Sequence, residues 1–352
     1  MTGGIENKAL EVVFLGGSNT RMANGYVPAL IESMQERTDR PVTAKNYAVG
    51  ISGSVMGLEQ FLACGLEDDP EIIFLEYSIN DVSLMGHGDL TFWQKCYEGL
   101  IRLVRRTYPT AAVYGLFFAS QIEHHRAPSR QLLAGMQAWA EHYDGFSLIN
   151  VHDELEARFS GAVPYFDNMH YGEAAIGPIA EIICDGMQAQ NCDTALPAPL
   201  TANPFDAPFL VGADSFESME KRPFSNSIFK FDTAVMKAGQ SITLTVPGEI
   251  ISVSFLSRPK SGILELSDRN GNAFIPTLHK EVLRNGSALF MNAPLLWHDW
   301  ELPELGSQTI ELSVHDTKQE PFHPFFNMIE PQNLPSEVQI RGILIAGKET
   351  ST

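Results

Sequence analysis

Between residues 10 and 190 the chain repeats one alternation: a short, almost wholly apolar run, a turn, then a stretch whose apolar residues recur at helical spacing. The apolar runs cover 12–15, 41–48, 71–77, 111–119 and 146–151, and the helical stretches 26–36, 56–66, 92–108, 131–143 and about 173–188. Strands that are apolar on both faces must be buried between two layers of helix, and strand–helix–strand units place successive strands parallel. The predicted class is therefore α/β, with a parallel sheet covered on both faces.

The pattern then changes. Residues 194–208 carry Pro197, Pro199, Pro204 and Pro208 without periodicity and are expected to form a linker. Beyond them, strand-like runs recur at 228–231, 241–246, 250–256, 262–266, 309–314 and 338–345, with Asp268-Arg269-Asn270-Gly271-Asn272 as a hairpin signal. Short strands at this spacing predict an all-β sandwich. The expected division is 1–193, a linker at 194–208, and 209–352.

A formal charge of −19, from 24 basic and 43 acidic residues, argues against a nucleic-acid or anionic-membrane partner and favours a neutral substrate. No stretch approaches the roughly 18–20 apolar residues of a membrane span. Residues 1–9 have neither a basic nor an apolar leader segment, so a cytoplasmic location is expected. Cys64, Cys96, Cys184 and Cys192 lack metal-ligand spacing and are expected as reduced thiols, with a Cys184–Cys192 disulfide left open. His124, His125 and His323 lack partners at ligand spacing, so no metal is expected.

The first apolar run ends in Gly16-Gly17-Ser18-Asn19-Thr20, which places a serine at the carboxyl edge of the sheet, where ligands bind in open α/β folds. Ser18 also suits a helix cap. As a nucleophile it needs a histidine to take its proton and a carboxylate to orient that histidine. Asp167-Asn168-Met169-His170 supplies both at a spacing that lets the carboxylate accept from Nδ1 and leaves Nε2 for the serine. Acyl transfer also needs donors aimed at a developing oxyanion. Gly50, after the second strand, can present a backbone N–H, and Asn80, after the third, a side-chain amide. Taken singly, each is also an ordinary turn or cap residue. Their order along successive strand ends of one sheet edge favours a site.

These four blocks, Ser18, Gly50, Asn80 and His170 in that order, resemble the SGNH (GDSL-like) hydrolase family over roughly residues 10–190. The resemblance implies a three-layer α/β/α, flavodoxin-like fold and ester hydrolysis through an acyl-enzyme, with no cofactor. It makes Ser18 the nucleophile, His170 the base and Asp167 its orienting acid. The oxyanion hole is the Ser18 N–H, the Gly50 N–H and the Asn80 side chain. Two departures stand out. Gly17-Ser18 replaces the family's usual Asp-Ser, removing a supporting carboxylate, and Ser78 stands where a glycine usually opens the third block.

The second half is similar to jelly-roll modules that bind carbohydrate, which points to an O-acylated saccharide, most simply an acetylated one, as substrate. Trp297 and Trp300 are candidate substrate contacts, in aromatic clusters with His298 and with Phe322, His323, Phe325 and Phe326, because aromatic faces stack on sugar rings. The expected partner is a small-molecule or oligosaccharide ester. The alternatives are a carbohydrate-binding protein with a vestigial site, and a short-chain esterase or acyltransferase using the same residues.

Overall fold

The computed structural model describes residues 8–63, 69–85, 90–192, 195–268, 271–295, 307–319 and 327–347. The chain divides into two compact units between Asp206 and Ala207.

The first unit begins with β1 (Leu10–Gly16), α1 (Ser18–Arg21), α2 (Tyr26–Thr38), β2 (Val42–Asn46) and α3 (Ser54–Ala63). It continues through β3 (Ile72–Glu76), α4 (Ser78–Met85), α5 (Leu90–Thr107), β4 (Ala112–Phe117) and α6 (Arg126–His142). It ends with β5 (Phe146–Asn150), α7 (Val151–Arg158) and α8 (Glu173–Gly186). The strands form one parallel sheet in the order β2-β1-β3-β4-β5. Every residue of the central strand β3 is buried, as its apolar sequence requires, whereas the edge strand β2 is only half-buried and carries Lys45. Phe14, Phe74 and Tyr114 lie in register on neighbouring strands and stack at 5.0 and 5.6 Å. They belong to the core that α2 and α8 close over one face. On α5 and α6, Trp93 and Tyr97 pack against Trp139 at 5.0 and 5.4 Å.

The α/β architecture is the expected one, with differences at the ends of elements. Helices α1, α4 and α7 are too short to show a hydrophobic period. Helix α6 starts at Arg126, ahead of the expected 131, because Pro128 falls in its first turn, where no backbone N–H is needed.

Residues 195–206, expected within a linker, are bound to α5 instead. The buried Glu98 carboxylate accepts the Leu200 and Thr201 N–H groups, both at 2.7 Å, and the Tyr143 hydroxyl. Arg102 donates to Asp206 Oδ2 at 2.8 Å and to the Pro197 carbonyl at 2.7 Å. Phe205, 1% exposed, packs edge-on against Phe92. Gly99 makes this approach possible, since a Cβ there would lie 2.5 Å from the Phe205 carbonyl oxygen.

Among its described residues the second unit is all-β apart from α9 (Lys280–Asn285) and a single short turn of helix. Its larger sheet contains β6 (Pro208–Gly212), β7 (Glu220–Ser225), β8 (Lys230–Lys237), β10 (Glu249–Ser257), β14 (Leu289–Pro294) and β17 (Glu337–Ala346). The smaller sheet contains β9 (Ser241–Val246), β11 (Ile263–Asp268), β12 (Gly271–Pro276) and β15 (Gln308–His315). A two-stranded pair joins β13 (Leu278–His279) to β16 (Met328–Ile329). The pairings between these described strands are antiparallel, and one isolated bridge, Ser261 to Glu337, is parallel. The expected hairpin pairs Asp268 with Gly271, while Arg269 and Asn270 lie outside the described residues. Trp297, His298, Trp300, Phe322, His323, Phe325, Phe326 and Cys64 also lie outside them. Cys96 and Cys184 are buried and Cys192 is half-buried. No helix among the described residues is long and apolar enough to cross a membrane.

Replacing Gly99 by alanine forces the 195–206 segment off α5. We expect this variant to lose about 1–3 kcal/mol, the usual cost of overpacking. A lower midpoint in urea unfolding of the full chain, together with faster proteolysis between 195 and 206, checks it; an unchanged midpoint would contradict the packing described.

Candidate active site

Strand β1 ends beside β3, where the Gly17 N–H donates to the Glu76 carbonyl at 3.0 Å. Neither Gly16 nor Gly17 has room for a side chain. A Cβ on Gly16 would meet Thr20 Oγ1 at 2.7 Å, and one on Gly17 would meet Asn80 Nδ2 at 2.6 Å. Gly17 has extended backbone angles and is itself the N-cap of α1, with no side-chain cap bond. Ser18 is thus the first helical residue and not the cap. Its hydroxyl is 2.7 Å from His170 Nε2.

His170 sits on a tight loop closed by the Tyr165–Tyr171 bridge and by the Phe166 N–H donating to the His170 carbonyl at 2.7 Å. Asp167 organises the loop from within. Its Oδ1 accepts the N–H groups of Met169 and His170 at 2.7 and 2.8 Å, and its Oδ2 lies 2.8 Å from His170 Nδ1. Partial burial pushes the Asp167 carboxyl up, but the Met169 N–H, the imidazole and the His170 N–H outweigh it and hold the group below the ordinary aspartate value. An ionised Asp167 keeps the proton on Nδ1, which leaves Nε2 as the acceptor facing Ser18. This arrangement can take the serine proton as the hydroxyl attacks an electrophile, and can return it to a leaving group.

Two side chains that the sequence motifs do not flag hold this loop in place. Asn19 donates from Nδ2 to the Met169 carbonyl at 3.1 Å and accepts the Tyr171 N–H at 3.3 Å, gripping the chain on both sides of His170. Gln121, after β4, donates its N–H to the Asn168 carbonyl at 3.1 Å and its amide to the Asp167 carbonyl at 2.9 Å. The Gly-Ser-Asn run marked a polar turn, but nothing in sequence linked position 19 to position 170.

The structure brings Asn80 to the nucleophile turn, its Nδ2 donating to the Ser52 carbonyl at 2.9 Å. Gly50 lies on the same sheet edge, in the turn after β2, with open space where a Cβ would stand. The next residue, Ile51, is left-handed at φ 63°, which costs a β-branched side chain about 1–3 kcal/mol. Ser52 steadies this turn through its hydroxyl, which lies within hydrogen-bonding distance of the Val49 and Gly16 carbonyls.

Two buried carboxyls lie behind the site. Glu76 ends β3, with its carboxyl accepting the Thr20 hydroxyl at 2.8 Å. Burial drives it from an ordinary 4.5 to about 8, against the Thr20 and Gly17 hydrogen bonds. Asp81 accepts the Ser54 N–H at 2.7 Å and the Trp93 indole at 3.0 Å, and burial raises it to about 7. Glu76 closes an otherwise apolar run just before the Asn80 loop, and that was its only trace in the sequence.

No protein-family model and no curated protein matches the chain by sequence. Solved structures do match it in fold. The chain is similar to a two-domain esterase (CEX) active on acetylated mannans, co-crystallized with mannopentaose, at a TM-score of 0.68 and 20% identity. That alignment covers 98% of this chain and 92% of the other. A second structure of a two-domain esterase active on acetylated mannans aligns at a TM-score of 0.66 and 18% identity, over 97% and 92% of the two chains. The shared fold is the expected α/β unit followed by an all-β unit.

Glu76 retains its proton in the folded chain between its ordinary 4.5 and about 8, whereas the unfolded chain ionises it. Stability is therefore complete below the lower value and falls as pH rises through this window. Asp81 acts with the same sign. Glu76→Gln is expected to flatten, without abolishing, the loss of melting temperature between pH 5 and 8, as read by circular dichroism at stepped pH; a slope identical to wild type would show that Glu76 is ionised in the fold.

Proposed function

We propose that this protein is a serine esterase that removes acyl groups, acetyl foremost, from an O-acylated saccharide through an acyl-enzyme. The observation that carries this reading is the continuous relay from Asp167 through His170 to Ser18, with the bond between His170 Nε2 and Ser18 Oγ at 2.7 Å. In it, Ser18 attacks the ester carbonyl as Nε2 takes its proton. The oxyanion is received by the Ser18 and Gly50 N–H groups and by the Asn80 Nδ2 hydrogen not given to Ser52. The imidazolium then protonates the departing sugar oxygen, and a water activated by the same imidazole releases the acid.

Two features support the saccharide part. The solved two-domain esterase that shares the fold is described as active on acetylated mannans. Beside the triad, Phe166 is 78% exposed on the loop that carries Asp167 and His170. Its backbone is held by the loop hydrogen bonds, and its ring offers an exposed aromatic face of the kind that stacks on a pyranose. A lone exposed aromatic is ordinary on a surface, and its place next to the reacting groups gives it this significance.

Acetate release from acetylated oligosaccharides, compared with p-nitrophenyl esters of increasing chain length, tests the reading. Ser18→Ala is expected to lower turnover by roughly three or more orders of magnitude. Preference for acyl chains of eight or more carbons with no action on acetylated sugars would exclude the proposed substrate. Loss of glycan binding with turnover intact in Ser18→Ala would exclude the mechanism. Transfer of acetate to an added sugar acceptor would identify an acyltransferase.

Gly17→Ala places a methyl where Asn80 Nδ2 stands. A fall of about 10²-fold in kcat, comparable to loss of one oxyanion donor, is expected. Near-normal kcat in a well-folded variant would remove Asn80 from the donor set.

A further inference from the structure

A cavity of about 320 Å³ opens beyond the carboxyl ends of β4 and β5, and Ser18 and His170 do not line it. Ligand-sized pockets begin at about 300 Å³, so this one suits a single ring. Half-buried Tyr165 gives it an aromatic face, and Gln121, Arg126, Ser129 and His152 give it polar groups. The carboxyl edge of a parallel sheet is where ligands of this architecture bind.

Ser129 is 5% exposed, and its hydroxyl has no hydrogen-bond partner among the described residues. An unpaired buried polar group costs about 1–3 kcal/mol, so the site favours an occupant that satisfies it. Burial holds the His152 imidazole below the ordinary histidine value in spite of Glu156 and Asp153. It is a neutral donor and acceptor at physiological pH. Two guanidinium groups on the wall, Arg126 and Arg130, are balanced by Glu123 and Glu156. That balance favours a neutral molecule over an ion. His152, Asp153 and Glu156 do offer ligand atoms within 4.8 Å of one another. Arg130, however, already donates to both Asp153 oxygens at 2.8 and 3.0 Å, and a cation would have to displace it.

The geometry points to a binding subsite in this cavity for one neutral pyranose unit, distinct from the unit that carries the ester. The inference rests on the saccharide reading above and extends it to an oligomeric substrate. An aromatic face beside a hydroxyl, an imidazole and an amide is the chemistry that recognises a polyol ring. Gln121 joins this cavity to the reacting groups: it lines the wall and also holds the Asp167–Asn168 backbone through its two hydrogen bonds. The cavity and the catalytic loop share that residue.

Calorimetric titration of the full chain with unacetylated xylotriose, mannotriose and tri-galacturonate tests it. Ser129→Ala removes the hydroxyl, and Ala162→Trp, at a lining position, fills the opening. At least one neutral trisaccharide is expected to bind, about 2- to 10-fold more weakly in Ser129→Ala, the worth of one hydrogen bond, and not measurably at this site in Ala162→Trp. Without sugar, Ser129→Ala should melt at or above the wild-type temperature, which separates lost binding from lost folding. The subsite is overturned if neither neutral trisaccharide binds, if either variant binds as wild type does, or if the charged trimer binds more tightly. No ester takes part in these titrations, so their failure leaves acetate release by Ser18 untouched, and failure of acetate release leaves them unaffected.

Discussion

The site depends on how closely the end of β1 can approach the end of β3. Two residues without side chains, Gly16 and Gly17, let the nucleophile turn rest against the Glu76 carbonyl, the Thr20 hydroxyl and the Asn80 amide. The serine and the amide are thereby parts of one packed body and not tips of separate loops. From there the order spreads outward. Asn19, one residue further along, grips the histidine loop on both sides of His170. The position of His170 relative to Ser18 is thus fixed by hydrogen bonds from the residue next to Ser18.

Electrostatics divides the buried acids of the first unit into two kinds. Glu98 is surrounded by donors from Leu200, Thr201 and Tyr143 and ties distant backbone together. Glu76 is hydrogen-bonded by Thr20 and Gly17, but its burial outweighs these bonds, so it keeps its proton up to about 8. It also lies 3.7 Å from where a Cβ on Gly17 would stand. A protonated carboxyl from the adjacent strand therefore lies beside the Gly-Ser turn.

Much of the architecture was legible because it is written in periodicity. A run such as Ile72-Ile73-Phe74-Leu75 can only be a buried strand between layers, and the amphipathic pattern of α5 leaves no alternative to a helix. The triad loop was legible because Asp167 and His170 are neighbours in sequence and close their own hydrogen bonds. What escaped was non-local. The contacts of Asn19 span some 150 positions, and those of Gln121 reach across two helices and a strand, so no spacing announces them. Polar edge strands such as β7 and the one-turn helix α1 escaped because neither shows a hydrophobic period. The proline-rich segment misled for a related reason. Proline excludes regular structure but not burial, and Phe205 is as buried as any core residue.

That segment also settles what counts as a complete α/β unit. Arg102 and Glu98, on the solvent-distant face of α5, find their counter-groups in Pro197, Leu200, Thr201 and Asp206. A gene fragment stopped where the last helix fades would leave Glu98 and Arg102 with the Tyr143 hydroxyl but without the backbone and carboxylate partners that the tail supplies, and losing partners of this kind costs more than the pairs themselves contribute. The compact α/β unit therefore includes its proline-rich tail to Asp206, which acts as the final layer of the core.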